Sequence, residues 1–572
     1  MPHKKLKSTQ IIAINNKSTI PADVNPQWVF LRKYWSWILV VLILLIVAST
    51  RIRLLQIPLE RDEGEFAYMG QLMIQGIPPY LLAYNMKLPG IYAIYALVMT
   101  IFGQTITGIH IGLMLINIAA IILLFLLTRR IFDEVAAIVA AASYALLSLS
   151  PSVLGTSAHA TQFIVPFVLG GTLLLLKALD SGKYWMIFTS GLLYGLAFII
   201  KQHAVFFIAF AVIYLIVQLI KTQKTDWKGL AGRTGLLLFA SALPLILSCI
   251  VLYAAGVFPS FLFWTFTYAH NYVSEQSLSD GLQNLINSPL MSMNPWGLLL
   301  GIAGIGFTAI LWNVKAKSNW QFLASFLIFS FLSICPGLYF RPHYFVTMLP
   351  AISLLVGVAV SATMQYILFR NMPFSVQILA IFIFAAAIIT PAYKFSWFFL
   401  KAKPFEASLM MYQYHPFPES IEIAEYIKNH TNKDDKIAVI GSEPQIYFYA
   451  NRRSATGYIY VYGLMENQEY ASKMQMEMIH EIEETHPKYA IYIYNPVSWF
   501  ANKNLNMNMG MLKWASTFLG KYYRTVGIID HYANGYVAFW ENDLRQYKPN
   551  SCFKIVVMER IGGKESNLLN NG

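Results

Sequence analysis

Apolar runs of about 17–25 residues, broken by short polar connections, occupy the chain from residue 36 to residue 398, and runs of that length predict membrane-spanning helices. They fall near 36–57, 107–128, 134–151, 161–178, 184–200, 203–220, 234–256, 296–313, 319–335, 343–364 and 375–398. Lys/Arg clusters land on alternate connections: Lys4, Lys5, Lys7, Arg32 and Lys33, then Arg129–Arg130, Lys177 and Lys183, Lys221 to Arg233, Lys315 and Lys317, and Arg370. All share one side if eleven segments span, and the positive-inside rule makes that side cytoplasmic. Residues 89–103, PGIYAIYALVMTIFG, are apolar but short. Counting them as a span would turn the later clusters outward at five loops, so an interfacial or re-entrant helix is expected there.

Past residue 400 the pattern changes. Apolar runs shorten to strand length (KIAVIG, TGYIYV, YAIYIY, YVAFW), with helix-like stretches at 418–430 and 466–485 between them. Alternating strand and helix predicts an α/β domain with a largely parallel sheet. It holds no GxGxxG fingerprint and no phosphate loop, and Ser442 in the GSEP turn is a candidate helix cap. The expected organisation is a cytoplasmic segment over 1–35, a transmembrane domain over 36–398 with an external loop at 58–106, and an extracytoplasmic domain over 399–572.

Composition agrees. Of 572 residues 56% are hydrophobic and 12% charged, with mean hydropathy +0.50, against roughly 25% charged residues in a soluble domain. The net charge of +13 sits in clusters that set topology, so no nucleic-acid partner is implied. The polar lead of roughly 30 residues before the first run is too long for a cleavable signal peptide. Cys249, Cys335 and Cys552 lack CxxC spacing, so neither a zinc site nor a redox motif is supported.

Some charge on the outer side serves no topological purpose: Arg51, Arg53, Asp62, Glu63, Glu65, Lys87, Lys201 with Gln202 and His203, His270, and Arg341 with His343. Ionisable residues lodged among membrane segments are functional candidates by default. They are densest in RDEGEFAYMGQLMIQGIPPYLLAYNMKLPG, residues 61–90, where aromatics, Gly and Pro suit a packed pocket.

DEGEFAYMGQLMIQGIPPY followed by KLPG resembles the first external loop of bacterial protein-mannosyltransferase-like glycosyltransferases (glycosyltransferase family 39, GT-C fold), relatives of the lipid A aminoarabinose transferases. GLLYGLAFIIKQHA, RPHYFVTMLPAISLL and VIGSEPQIYFYANRRSATGYIYVYGL extend the resemblance from about Asp62 to Tyr462. It implies a multi-spanning enzyme of the bacterial plasma membrane that moves a sugar from a polyprenyl-phosphate donor to an extracytoplasmic lipid, glycan or protein acceptor, with inversion. It also implies Asp62 as general base and Lys87 as donor-phosphate ligand. Many relatives carry acidic or His residues before the Lys, where this chain has Leu82, Tyr84, Asn85 and Met86; no metal and no cofactor are expected.

The chemistry fits those residue types. A phosphate leaving group needs cationic stabilisation more than a proton donor, which Lys87 and Arg341 supply, arginine in bidentate fashion. The acceptor hydroxyl must lose a proton, so one carboxylate suffices as base. That is Asp62, with Glu63 beside it in the candidate catalytic pair. Tyr84, Lys201, His203, His343 and Tyr344 are pocket candidates. Plainer roles stand beside these: Asp62 as N-cap of a helix beginning near Glu63, Lys87 and Lys201 as interfacial anchors, His159 and His270 as ordinary polar residues. A transporter or flippase is the rival class, but it would place charge near the midplane of paired repeats, and no repeat is visible.

Overall fold

The computed structural model describes residues 26–222, 226–288, 295–466, 468–499, 510–532, 535–551 and 553–562, with side chains from residue 33 onward. Lys4, Lys5, Lys7 and Cys552 lie outside the described residues. The eleven apolar segments all fold as helices. Among the described residues the first nine α-helices are α1 Pro26–Arg53, α2 Arg61–Ile74, α3 Pro89–Phe102, α4 Ile106–Ile131, α5 Glu134–Leu147, α6 Ala160–Ser181, α7 Tyr184–Ile200, α8 Val205–Thr222 and α9 Trp227–Ala254. After short helical turns follow α10 Gly297–Trp312, α11 Trp320–Leu332, α12 Leu349–Phe369 and α13 Phe374–Lys394. Among the described residues seven helices are long and apolar enough to cross a membrane, and five more, α3 among them, are apolar but shorter.

Two boundaries depart from the hydrophobic pattern. The run at 134–151 stops being α-helical at Leu147, and 343–364 begins as a 3-10 turn over Pro342–Thr347 before α12. Pro151 and Pro350 explain both, since each lacks the N–H that would bond the carbonyl four residues back, Leu147 and Val346. The turn swings His343 and Tyr344 inward, where both are buried.

α5, α12 and α10 pack as a close layer. A Cβ on Gly306 of α10 would stand 1.9 Å from the Leu355 carbonyl oxygen of α12, so only glycine lets these backbones approach, as in membrane helix pairs generally. Elsewhere large apolar side chains such as Leu45, Ile46, Val251 and Phe382 face outward. Such a surface is stable against lipid and a liability in water.

The C-terminal unit begins with α14 Glu419–His430 and contains α15 Gln445–Ala450, α16 Ala471–Thr485 and α17 Gly510–Tyr522. Its six strands are β1 Lys436–Ile440, β2 Arg453–Ser454, β3 Tyr489–Tyr494, β4 Tyr523–Tyr532, β5 Gly535–Trp540 and β6 Lys554–Arg560, in the order β2-β1-β3-β6-β4-β5. The sheet is mixed rather than largely parallel: β1 pairs with β2 and β3 in parallel, whereas β3–β6, β6–β4 and β4–β5 are antiparallel. TGYIYV is not a strand. Gly457 and its flanking tyrosines are consumed as a loop that reaches back to the membrane unit, where the Tyr84 amide donates to Gly457 O at 2.8 Å. Ser442 caps no helix; its hydroxyl accepts from the Val461 amide at 3.0 Å and pins that loop.

α2 is wedged between the two units. The Leu59 amide donates to Tyr449 Oη at 2.8 Å, and the Ser454 amide to Tyr68 Oη at 2.8 Å. A Cβ on Gly64 would fall 2.6 Å from the Gln445 amide nitrogen. Gly64→Ala should therefore destabilise the protein by about 1–3 kcal/mol through overpacking, read as a lower thermal midpoint in detergent. Gly235→Ala, in α9 with open space around it, should leave the midpoint within error; equal midpoints for the two variants would mean that α2 and α15 are not in contact.

Candidate active site

The first turn of α2 is where the site is built. Glu60, not Asp62, caps this helix: its carboxylate accepts from the Glu63 amide at 3.0 Å, and the Glu63 carboxylate accepts in return from the Glu60 amide at 3.1 Å. That reciprocal box holds Asp62 one residue inside the helix with its side chain free to face a cavity.

Lys87 meets it there. Its Nζ lies 3.0 Å from Asp62 Oδ1 and 2.7 Å from Glu65 Oε2, with the Phe66 ring beneath at 4.8 Å. Glu65 is fully buried and also accepts from Tyr92 Oη at 2.8 Å. Burial pushes the Glu65 carboxyl up to about 7, against the pull of Lys87. Burial acts on Asp62 too, but Lys87 above all, with His343 and His159, holds its carboxyl well below the usual range. Tyr460 Oη donates to the same Asp62 oxygen at 3.3 Å.

Two adjoining cavities meet at these groups. The larger, about 280 Å³, is roofed by the C-terminal loop through Tyr458, Tyr460, Tyr462 and Glu466, and Arg341, Tyr84 and Trp264 also line it. The smaller, about 160 Å³, has apolar walls that include Phe66, Ile200, Ala269 and Val273. Asp62, Lys87, His159, Lys201, His343 and Tyr344 line both and form the wall between them.

Most of the residues expected from sequence converge here. Lys201, at the end of α7, sits over the Tyr344 ring at 4.4 Å. Burial pushes its ammonium down to about 7, Asp62 resisting and Lys87 and Arg341 reinforcing the shift. His203 lines the smaller cavity and meets Tyr344 edge-on at 4.9 Å. Tyr84 stacks on Trp264 with centroids 5.5 Å apart. Arg341 lies over the Tyr339 ring at 5.1 Å.

Others are placed elsewhere. Glu63 lines neither cavity; besides the cap, its Oε1 takes the Ala158 amide at 2.5 Å and His110 Nε2 at 3.0 Å. These contacts occupy its lone pairs and knot α2 to the segments around it. Arg51 donates to Ser148 O and Gly155 O at 3.2 Å, and Arg53 to Phe398 O and Ala402 O; both fasten loops. His270 is exposed.

The sequence reading passed over three groups. His159 stacks on His343 with centroids 4.0 Å apart, beside Asp62. Arg61 is buried and donates to Glu443, Ser442 O and Tyr462 Oη, tying α2 to the C-terminal unit. The roof tyrosines lie in the segment read as a strand. No metal was expected because residues 82–86 offer no ligand set, yet Asp62, His159 and His343 assemble a possible one from three other segments.

A family model described as dolichyl-phosphate-mannose-protein mannosyltransferase matches residues 87–245. No curated protein sequence matches the chain. Among solved structures, ArnT from Cupriavidus metallidurans bound to undecaprenyl phosphate matches with TM-score 0.58 at 14% identity, covering 94% of this chain and 99% of that one. The archaeal oligosaccharyltransferase AglB from Archaeoglobus fulgidus, in complex with an inhibitory peptide and a dolichol-phosphate, matches with TM-score 0.53 at 13% identity, covering 92% and 76%. The fold is that of the GT-C glycosyltransferases. The family match begins at Lys87 itself and runs into α9.

Glu63→Ala removes a cap and leaves the Ala158 and Glu60 amides without partners, so it should cost about 2 kcal/mol or more of stability. The thermal midpoint in detergent should fall clearly. An unchanged midpoint with lost turnover would return Glu63 to the chemistry.

Proposed function

We propose that this chain is an inverting membrane glycosyltransferase that takes a sugar from a polyprenyl-phosphate donor and passes it to an extracytoplasmic acceptor at the bacterial plasma membrane. The observation that carries it is the position of Asp62 and Lys87 in the wall between an apolar-lined cavity and a polar, aromatic one. The smaller cavity suits the donor's lipid-proximal phosphate, and the larger one the sugar and acceptor. ArnT bound to undecaprenyl phosphate and AglB holding a dolichol-phosphate with a peptide support a lipid-linked donor. The alternation of Lys/Arg clusters supports the outward orientation. The rival reading as a transporter or flippase gains no support from the fold.

Lys87 neutralises Asp62, which makes Asp62 a weak base. A donor phosphate competes for the same ammonium. As Lys87 turns its charge toward the phosphate, Asp62 loses its counter-ion and its proton affinity rises, at the moment an acceptor hydroxyl must be deprotonated. The leaving phosphate is stabilised by Lys87 and Arg341. Glu65 keeps Lys87 in place throughout. Inversion follows from a single carboxylate beside a cationic clamp, in contrast to the paired carboxylates of retaining hydrolases. The sugar, hexose or pentose, and the acceptor depend on contacts in the larger cavity.

Asp62→Asn should preserve donor binding and reduce turnover by roughly 10²-fold or more, the scale of general-base loss. The assay is transfer from the lipid-linked sugar that accumulates in cells lacking this chain; near-normal turnover would remove Asp62 as base.

Lys87→Ala and Arg341→Ala should each weaken binding of bare polyprenyl phosphate by about 1.5–3 kcal/mol, the range for a hydrogen bond to a charged group. If both hold one phosphate, the double variant should depart from additivity by more than about 0.5 kcal/mol. Isothermal titration in detergent measures all three; strict additivity would separate the two cations.

Lys201 gives a pH test. Burial pushes its ammonium down to about 7, so its charge is lost as pH rises through that region. A bound phosphate favours the charged form, so binding above pH 7 takes up a proton and weakens as pH rises, by up to tenfold per unit. Between pH 7.5 and 9 polyprenyl phosphate is itself ionised, its second pKa being about 6, and Glu65 is mostly charged. The affinity should fall across this range and become flat in Lys201→Arg, since arginine stays protonated. An equal slope in both proteins would place the titrating group elsewhere.

A further inference from the structure

Building on the transferase reading above, we propose that Glu466 selects the transferred sugar, its carboxylate receiving hydroxyl groups of a non-acidic sugar whose ring is covered by Trp264 and the tyrosines around it. Glu466 lines the larger cavity and is 7% exposed. Its Oε2 accepts from Tyr268 Oη at 2.7 Å, and its Oε1 makes no hydrogen bond among the described residues. Burial pushes its carboxyl up to about 7, Glu275 reinforcing the shift and Tyr268 and Arg341 resisting it. A buried carboxylate with acceptor capacity to spare is costly, and hydroxyl donors from a ligand relieve that cost. The other carboxylates of this end of the C-terminal unit are already used. Glu477 receives Tyr458 Oη, and Glu481 receives Thr456 Oγ1 and the Gly457 amide. Neither lines the cavity, so Glu466 is the one described carboxylate of the C-terminal unit that does.

The rings beside it are held in place from two units. Phe263–Tyr268 form a single π-helical turn, a form that recurs at functional sites, and the turn sets the Trp264 and Tyr268 rings 5.3 Å apart. Tyr84 stacks on Trp264, and Tyr458 meets Tyr84 edge-on at 5.2 Å. All four rings line the cavity. A Cβ on Gly457 would overlap the Tyr84 ring, and one on Gly463 would overlap Tyr268 Oη. Two glycines of the roof loop therefore make room for these rings, and Gly463 does so three residues before Glu466. Aromatic walls with a few placed polar groups are the usual make-up of a small-molecule pocket. Here the rings suit the apolar C–H face of a sugar and the carboxylate suits its hydroxyls.

Charge decides which part of the donor Glu466 meets. A carboxylate repels phosphate, and the cations suited to phosphate, Lys87 and Arg341, line the same cavity. The sugar is joined to the phosphate that these hold, and Arg341 is near enough to Glu466 to act on its carboxyl. The same repulsion turns away a sugar that carries its own carboxylate. A site built to bond a hydroxyl discriminates steeply against a ligand that lacks it, because the protein's polar group is then left unpaired. Glu466 thus supplies both halves of a selection, attraction for hydroxyls and rejection of acidic sugars.

The test uses the full chain in detergent at pH 8, where Glu466 is largely ionised. Calorimetry measures binding of bare polyprenyl phosphate and of its mannosyl, glucosyl, galactosyl, xylosyl and glucuronosyl conjugates. At least one neutral conjugate should bind about 10–100-fold tighter than the bare lipid, the scale of a hydrogen bond to a charged group. The glucuronosyl conjugate should bind no tighter than the bare lipid. In Glu466→Ala the gain should vanish, the loss falling on the conjugates and not on the bare lipid. Glu466→Gln keeps an acceptor oxygen without the charge, so it should admit the glucuronosyl conjugate; it carries the test if thermal melts show Glu466→Ala unfolded. A gain for none of the neutral conjugates, a gain that survives in folded Glu466→Ala, or continued rejection of the glucuronosyl conjugate by Glu466→Gln would overturn the assignment while leaving the transferase reading in place. A wild type that fails to bind the bare lipid would overturn that reading instead, and Glu466 with it.

Discussion

One ammonium shared by two carboxylates organises the site of this protein. Lys87 touches Asp62 and Glu65, and Glu65 has no access to solvent. Buried charge is stable only when paired and hydrogen-bonded, so neither carboxylate can be moved without stranding the other groups. The constraint propagates. Glu65 takes Tyr92 of α3, and Tyr80 Oη donates to Lys87 O at 2.7 Å, fixing the loop that delivers the lysine. Glu60 and Glu63 lock the helix turn that delivers the aspartate. What remains adjustable is Asp62, the only carboxylate of the four with substantial exposure, at 21% of its side chain.

The C-terminal unit belongs to the same construction. It covers the site with tyrosines and receives Arg61 on Glu443, so the orientation of α2, and with it of Asp62, is set from outside the membrane unit as well as within it. Such double anchoring explains why a short helix of modest intrinsic stability can hold Asp62 in place.

Much of this was legible along the chain, and the limits have physical causes. Helix-length apolar runs betray membrane helices because lipid tolerates no unsatisfied backbone, and all eleven expected segments are helical. Lys87, Arg341, Lys201 and His343 stood out because charge on the outer side had no topological excuse. What the chain could not reveal were placements that depend on contacts far along it. Sequence cannot tell which of two adjacent carboxylates lines a cavity; Asp62 does and Glu63 does not. His159 looked ordinary because its neighbour His343 is 184 positions away. TGYIYV has strand composition, yet its tyrosines serve a loop, since β-propensity reports a half-buried surface and not a partner strand. The sheet read as parallel because β4 and β6, which make it mixed, were not recognised as strands.

The pairing of Arg61 with Glu443 has a consequence for how the protein is made. The two residues are 382 positions apart. At a synthesis rate of about 5–20 residues per second, the arginine waits on the order of 20–80 s at the growing membrane unit before its counter-charge exists. Over that interval the first turn of α2 lacks its outer anchor and the cavity lacks its roof. In a half-made copy the site is therefore unroofed, and the closed arrangement around Asp62 exists only once the C-terminal unit is complete.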